Sequence, residues 1–155
     1  MPDKSPSMEL VLAKKKDLDT VLTLIQEFHE MEGIESKRTV LMNAVYPLLK
    51  KQNEFGCILV IQLDGETVGY IALCFGYSLE FGGRDAFIDE LYIRKSHRGK
   101  KLSTAAIEHC KALAKPLAIN ALHLEVNAKA DKLQALYKKN GFELRQKNKL
   151  MSCKL

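Results

Sequence analysis

The chain has 155 residues, 46% of them hydrophobic and 28% charged. Those proportions suit one globular domain, and a chain of this size buries roughly 68–70% of the surface its unfolded form exposes. Twenty-four Lys and Arg against 19 Asp and Glu leave a net charge of +5, which permits an anionic partner. No basic block or arginine–aromatic interleaving marks a nucleic-acid binder, and no apolar run approaches the length of a membrane span.

The opening "MPDKSPS" lacks a basic start followed by an apolar core, so it is read as a disordered tail over residues 1–7 rather than a signal peptide. Residues 8–155 then form one domain. "MELVLA" (8–13) alternates as a strand. Leu18, Val21, Leu22, Ile25 and Phe28 recur at helical spacing behind Asp17 and Asp19, and Gly33 ends that helix. A second amphipathic stretch after Thr39 is interrupted by Pro47, which predicts a kink or two short helices. "GCILVIQL" (56–63) is a buried strand joined by Asp64-Gly65, a hairpin signal, to "ETVGYIALCF" (66–75). "GYSLEFGGRD" (76–85) reads as a turn-rich loop before the strand "AFIDELYI" (86–93). A helix after "HRGKKLS" carries Leu102, Ala106, Cys110 and Leu113 as its inner stripe and stops at Pro116. "ALHLEV" (121–126) is a strand, "DKLQALYKKN" (131–140) a helix ended by Gly141, and "FEL" (142–144) and "LMSCKL" (150–155) two short strands. Antiparallel hairpins first and a β-α-β unit later predict an α/β fold with a mixed, mostly antiparallel sheet and helices on both faces.

Cys57, Cys74, Cys110 and Cys153 are far apart, with neither metal-ligand spacing nor a paired framework. Reduced thiols in a cytoplasmic protein are the simplest reading. His29, His97, His109 and His123 show no metal spacing either and read as surface or structural residues, so no metal is expected.

"HRGKKLS" (97–103) is the chemically suggestive segment. The first turn of a helix holds backbone N–H groups without intrahelical partners, and its dipole favours anions. Gly99 lets the main chain approach a phosphate closely. Arg98, Lys100 and Lys101 add positive charge. An exposed basic turn explains the same residues, so this loop alone decides nothing.

The stretches "IDELYIRKSHRGKKLSTAAIEHC" and "LHLEVNAKADKLQALYKKNGFEL" resemble the GNAT superfamily of acyl-CoA-dependent N-acetyltransferases. The resemblance covers residues 56–155 well and the N-terminal elements loosely. The family's loop reads Arg/Gln-x-x-Gly-x-Gly/Ala. Arg98 matches its first position, Lys101 stands where the family has glycine, and Ser103 where it has glycine or alanine. "ALYKKNGF" (135–142) matches a second motif, while Ala130 and Leu133 replace an asparagine and an alanine of relatives.

This resemblance implies a GNAT-like fold in which acetyl-CoA, the acyl-donor cosubstrate, lies across a splay between strands 86–93 and 121–126. Backbone groups of Leu91, Tyr92 and Ile93 would line its pantetheine arm. Amides of Arg98, Gly99, Lys100, Lys101, Leu102, Ser103 and Thr104 would hold the pyrophosphate. An N–H near Leu91 would polarise the thioester carbonyl, and Tyr137 occupies the position of the family's general acid. Periodicity alone reads Tyr137 as a core tyrosine beside Leu133 and Leu136. Asp89 or Glu90 would be the base, each with a structural carboxylate as the rival reading. Phe28, Glu32, Tyr77, Glu80 and Glu90 would line the acceptor site, and the acids Glu27, Glu30 and Glu35 nearby suit a cationic amine or, equally, a solvated helix face. Relatives are often dimers, and "LMSCKL" would then pair across an interface. Two other readings stay open: a non-catalytic acyl-CoA-binding protein of the same fold, and a basic protein associated with nucleic acid.

Overall fold

A computed structural model describes residues 7–51 and 54–155. Most of the expected tail lies outside the described residues, but Ser7 exchanges two 2.9 Å hydrogen bonds with Asp64, one from each backbone N–H. The chain comprises two compact units, residues 1–125 and 126–155.

In the first unit β1 (Met8–Leu12) leads into α1 (Leu18–Glu32), α2 (Arg38–Val45), β2 (Gly56–Leu63), β3 (Glu66–Ser78), β4 (Gly83–Ile93), α3 (Leu102–Ala114) and β5 (Ala121–His123). Gly33 closes α1 at φ 69°, and the Ile34 N–H reaches back to the His29 carbonyl at 2.8 Å. That is the glycine-dependent helix stop expected from the sequence. Pro47 has the predicted effect: α2 ends at Val45 and a 3-10 turn, Tyr46–Leu49, follows. Asp64 and Gly65 take φ 51° and 83°, the double positive-φ turn whose twist matches an antiparallel hairpin.

The sheet runs β1-β2-β3-β4-β5, antiparallel except for the parallel β4–β5 pair. On one face Tyr70, Ala72 and Tyr92 meet Val21, Leu22, Leu24 and Ile25 of α1 and Leu41 and Val45 of α2. On the other, Ile61, Leu63, Val68 and Ile93 meet Leu102 and Ala106 of α3. The mixed sheet with helices on both faces is therefore present. In α3 the fully buried Ile107 joins the inner stripe, and Leu113 is only half-buried.

Three boundaries differ from the sequence reading. β3 extends to Ser78 and β4 starts at Gly83, so the loop expected over 76–85 shrinks to a tight connection. Gly76 makes that extension possible: Asp85, its partner across the ladder, lays its Oδ1 2.5 Å from where a Cβ would stand. The strand expected over 121–126 stops at His123, because its pairing with β4 ends at Phe87↔His123. Residues 142–144 and 150–155 are not strands. They are short, separated by the polar run "RQKNK", and expose Leu144, Leu150 and Met151; two such segments cannot sustain a ladder alone. The second unit accordingly contains α4 (Asp131–Lys139), closed by Gly141 at φ 87° with the Phe142 N–H on the Tyr137 carbonyl at 3.1 Å.

α1 is tied to the end of β4 by Arg94, whose Nη2 and Nε donate to both oxygens of Glu27 at 2.8 and 3.0 Å. Those hydrogen bonds and the guanidinium charge hold the Glu27 carboxyl below its ordinary value. A carboxylate with a depressed folded-state pKa stabilises the fold above its unfolded pKa, about 4.3, and loses that contribution as pH falls through the folded value. Chemical denaturation between pH 6 and 3 should therefore show a stability loss that is smaller in Glu27→Gln.

Candidate functional site

β4 supplies the centre of the site. Leu73 pairs with Ile88 and Ala72 with Glu90, so Asp89 is an extra residue in the strand. Such a bulge bends a strand and increases its twist. It lies two residues beyond Phe87, the last β4 residue to pair with β5. From there the two strands part.

The Arg94 N–H donates to the Val68 carbonyl at 2.9 Å, and the Tyr92 carbonyl faces Gly69 of β3. By the alternation of a strand, the backbone groups of Leu91 and Ile93 turn to the opposite edge. Arg98 takes the Ile93 carbonyl there, its Nε donating at 2.8 Å. The N–H and carbonyl of Leu91 and the N–H of Ile93 remain on the parted edge. The Tyr92 side chain belongs to the core, beside Phe28 and Tyr70, with its hydroxyl on Glu27 at 3.3 Å.

The chain leaves β4 through a 3-10 turn, Lys95–His97, and enters α3 by two left-handed residues, Gly99 at φ 80° and Lys101 at φ 59°. A side chain at Gly99 would meet nothing within 4 Å, so glycine is needed there for its φ rather than for space. The first helical bond runs from the Ala105 N–H to the Lys101 carbonyl at 3.1 Å. The amides of Leu102, Ser103 and Thr104 therefore precede any intrahelical acceptor. Beside them Lys100 and Lys101 are exposed. Arg98 is placed differently from the sequence expectation. Its own N–H bonds to the Lys95 carbonyl at 3.3 Å, and its guanidinium lies over the Tyr92 ring with Nη2 on Met31 Sδ at 3.1 Å. It clamps the loop to the strand end.

Asp89 and Glu90 have different surroundings. Asp89 is exposed at the bulge, and desolvation by its neighbours, then the charges of Glu90 and Glu125, raise its pKa. Glu90 turns towards α1. His29 Nε2 lies 2.5 Å from its Oε1, and the Tyr70 hydroxyl donates to its Oε2 at 2.5 Å. Burial and the adjacent Glu90 carboxylate push the Tyr70 phenol far above its ordinary range, so it stays a donor. His29 and Tyr70 were not identified from sequence. They stand 61 and 20 positions from Glu90, and no local spacing marks a contact made only when α1 docks on the sheet.

The same face of β4 continues through Phe87 to Asp85, opposite Cys74 and Gly76 of β3. Asp85 pairs with His123 Nε2 at 3.2 Å, and the rings of Phe81 and Phe87 flank that imidazole. Burial holds the Cys57 and Cys74 thiols up at about 11 and Cys110 at about 12, so these three are poor nucleophiles at neutral pH.

Of the expected acceptor wall, Glu27 is committed to Arg94, Phe28 is half-buried on Tyr92 and His29, and Glu32, Tyr77 and Glu80 are exposed. In the second unit Tyr137 is buried on α4, edge-on to Phe142 at 5.9 Å, and burial raises its pKa. Among the described residues no group of three or more His, Cys, Asp or Glu is placed to hold a metal ion, and no helix is long and apolar enough to cross a membrane.

The sheet is thus mixed, with only its β4–β5 pair parallel and that pairing ended at Phe87 and His123, ahead of the turn into α3. The family model described as acetyltransferase (GNAT) family matches residues 18–142, and the chain belongs to that family. No curated protein sequence matches it significantly. Among solved structures it is similar to integron cassette protein HFX_CASS3 from the mobile metagenome of Cole Harbour Salt Marsh, at 29% identity over 94% of this chain and 90% of that one, TM-score 0.83. It is also similar to a possible acetyltransferase from Clostridium difficile 630, at 22% identity over 96% and 98%, TM-score 0.81. The aminoglycoside N-acetyltransferase AAC(6')-Iy in complex with CoA shares the fold at 11% identity over 100% and 99%, TM-score 0.81.

Lys101 carries a Cβ in a left-handed conformation that costs an L-residue roughly 1–2 kcal/mol. Lys101→Gly should raise unfolding free energy by about 1 kcal/mol, read by urea denaturation, whereas Lys101→Ala, which keeps the strain, should not.

Proposed function

We propose that this chain transfers an acetyl group from acetyl-CoA to a primary amine, by direct attack within a ternary complex, with residues 8–155 acting as one domain. The observation that carries the reading is the parted edge of β4 running directly into the amides at the start of α3. The edge offers backbone groups beyond its last pairing with β5 that an extended amide-bearing arm can meet, and the left-handed turn followed by unpaired N–H groups suits a diphosphate.

In this reading the amides from Gly99 to Thr104 hold the pyrophosphate, with Lys100 and Lys101 as supporting charges and Arg98 as the clamp that keeps the loop in place. Groups on Leu91 and Ile93 pair with the pantetheine arm. The Leu91 N–H donates to the thioester carbonyl and meets the negative charge that grows there as the amine attacks.

An alkyl ammonium titrates near pH 10.4, so the acceptor must lose a proton before or during attack. Glu90 is the assigned base. It faces the α1 side of the sheet and its carboxylate is held by two side chains, whereas Asp89 sits at the bulge, outside that hydrogen-bonded group. The departing thiolate takes its proton from Tyr137, an assignment supported by the "ALYKKNGF" motif; a phenol carries its proton at neutral pH. Cys57, Cys74 and Cys110 are buried thiols, which favours direct attack over an acyl-cysteine route.

Glu90 on β4, with Tyr77 and Glu80 exposed around the β3–β4 connection and Glu32 exposed at the end of α1, supports a cationic acceptor: a polyamine, an aminoglycoside, a lysine side chain or a protein N-terminus. Four free cysteines support a reducing, cytoplasmic setting.

Calorimetry should detect acetyl-CoA binding to the purified chain, and an amine panel should give thiol release; binding without release for any amine would leave an acyl-CoA-binding protein instead. With an accepted amine, Tyr137→Phe should lower turnover by about ten-fold or more while acetyl-CoA affinity changes little. Unchanged turnover would remove Tyr137 from the role of acid.

A further inference from the structure

His29 is 8% exposed, close to the C-terminal end of α1. Its Nε2 meets Glu90, and its Nδ1 is buried with no hydrogen-bond partner. Two arrangements of the proton fit the contact. In one, Nε2–H donates to an ionised Glu90. In the other, a protonated Glu90 donates to a bare Nε2, and the ring hydrogen sits on Nδ1.

The orphaned nitrogen decides between them. A hydrogen on Nδ1 would be a buried N–H with no acceptor, at a cost of about 1–3 kcal/mol. A doubly protonated ring would carry that same N–H. A hydrogen on Nε2 leaves only a lone pair unmatched, and its bond to an ionised carboxylate is roughly twice as strong as one between neutral groups.

The electrostatic surroundings give this bond a task. Tyr70 and Cys74 face Glu90 from β3, Asp89 and Tyr92 flank it on β4, Glu27 lies on α1, and Glu125 follows β5. Glu27 is already paired with Arg94, and Arg94 and Arg98 bear on Tyr92, which leaves Asp89 as the neighbouring carboxylate next to Glu90 in the strand. The Glu90 carboxylate bears on Asp89, Tyr70 and Cys74, and the hydrogen bonds from His29 and Tyr70 hold its two oxygens.

We propose that His29 is a positioning residue for acetyl transfer: a neutral Nε2–H donor that, with Tyr70, holds Glu90 ionised and oriented as the base. This rests on the acetyltransferase reading above. Because the ring's other nitrogen has no outlet, His29 orients the carboxylate and does not itself carry the amine's proton.

Long-range proton–nitrogen NMR on the intact protein, with the His29 signal assigned by its loss in His29→Leu, reads the tautomer without any acceptor. The Nε2–H form is expected between pH 6 and 8, and the Nδ1–H form would overturn the proposal. With an accepted amine, His29→Leu should lower kcat/KM on the order of ten-fold and move the acidic limb of its pH profile upward, since a lost donor disfavours the carboxylate. His29→Gln, which retains an amide donor, should recover part of both effects. Tyr70→Phe should move the same limb in the same direction and serves where His29→Leu fails to fold. An acidic limb unmoved in a folded variant sinks the assignment. Failure of the wild type to release thiol with any amine sinks the acetyltransferase reading instead, and the tautomer result separates the two.

Discussion

β4 pairs with β3 along its whole length apart from the bulge at Asp89, but with β5 only from Asp85 to Phe87. A strand in mid-sheet ordinarily has both edges matched, because each N–H and carbonyl left without a partner in a buried place is costly. Here the bulge at Asp89 turns β4 just past its last pairing with β5 and leaves Leu91 facing an open edge. The same extra residue sets the phase of the strand beyond it, so that Glu90 and Tyr92 face α1 while Leu91 and Ile93 face the α3 side. An unbroken β4–β5 ladder would close that edge, and a regular β4 would reverse which residues face which helix.

Polar contacts then hold the surrounding elements to this one strand. Glu27 with Arg94 ties α1 to its end. Arg98 returns from the loop to the Ile93 carbonyl and the Tyr92 ring. His29 and Tyr70 converge on Glu90. Apart from the exposed Arg98 these groups are half-buried or buried, and all but one ring nitrogen are matched, which is how polar side chains persist next to an apolar core. Their common effect is to keep α1, β4 and the start of α3 in a single arrangement. The left-handed Lys101 is a local conflict within it: a lysine occupies a conformation better suited to glycine, where the helix start needs the turn.

Much of the architecture was legible along the chain. The run 56–63, the Asp64-Gly65 hairpin, the Gly33 stop and the break at Pro47 each depend on neighbouring residues alone, and each is found. Elements that depend on a distant partner were misjudged. β5 ends early because β4 bends away from it, and β3 and β4 run further than their turn-rich sequence suggests because Gly76 makes room for Asp85. The segments 142–144 and 150–155 alternate like strands but have no ladder. In the candidate site, the sequence pointed to the loop from Arg98 to Thr104 and to the acids of β4, yet not to the destination of the Arg98 guanidinium, the pairing of Glu27 with Arg94, or the contacts of His29 and Tyr70 with Glu90.

The amino-acid order by itself therefore determined the helices, the hairpins, the basic glycine-containing entry to α3 and the family resemblance, since turn residues and apolar periodicity act over a few positions. Only the tertiary structure decided where the sheet opens, which of two adjacent acids is grasped by α1, and that a histidine remote in the chain stands against Glu90. Those outcomes depend on strand register and on how a helix docks, and a one-residue change in register redirects every side chain beyond it.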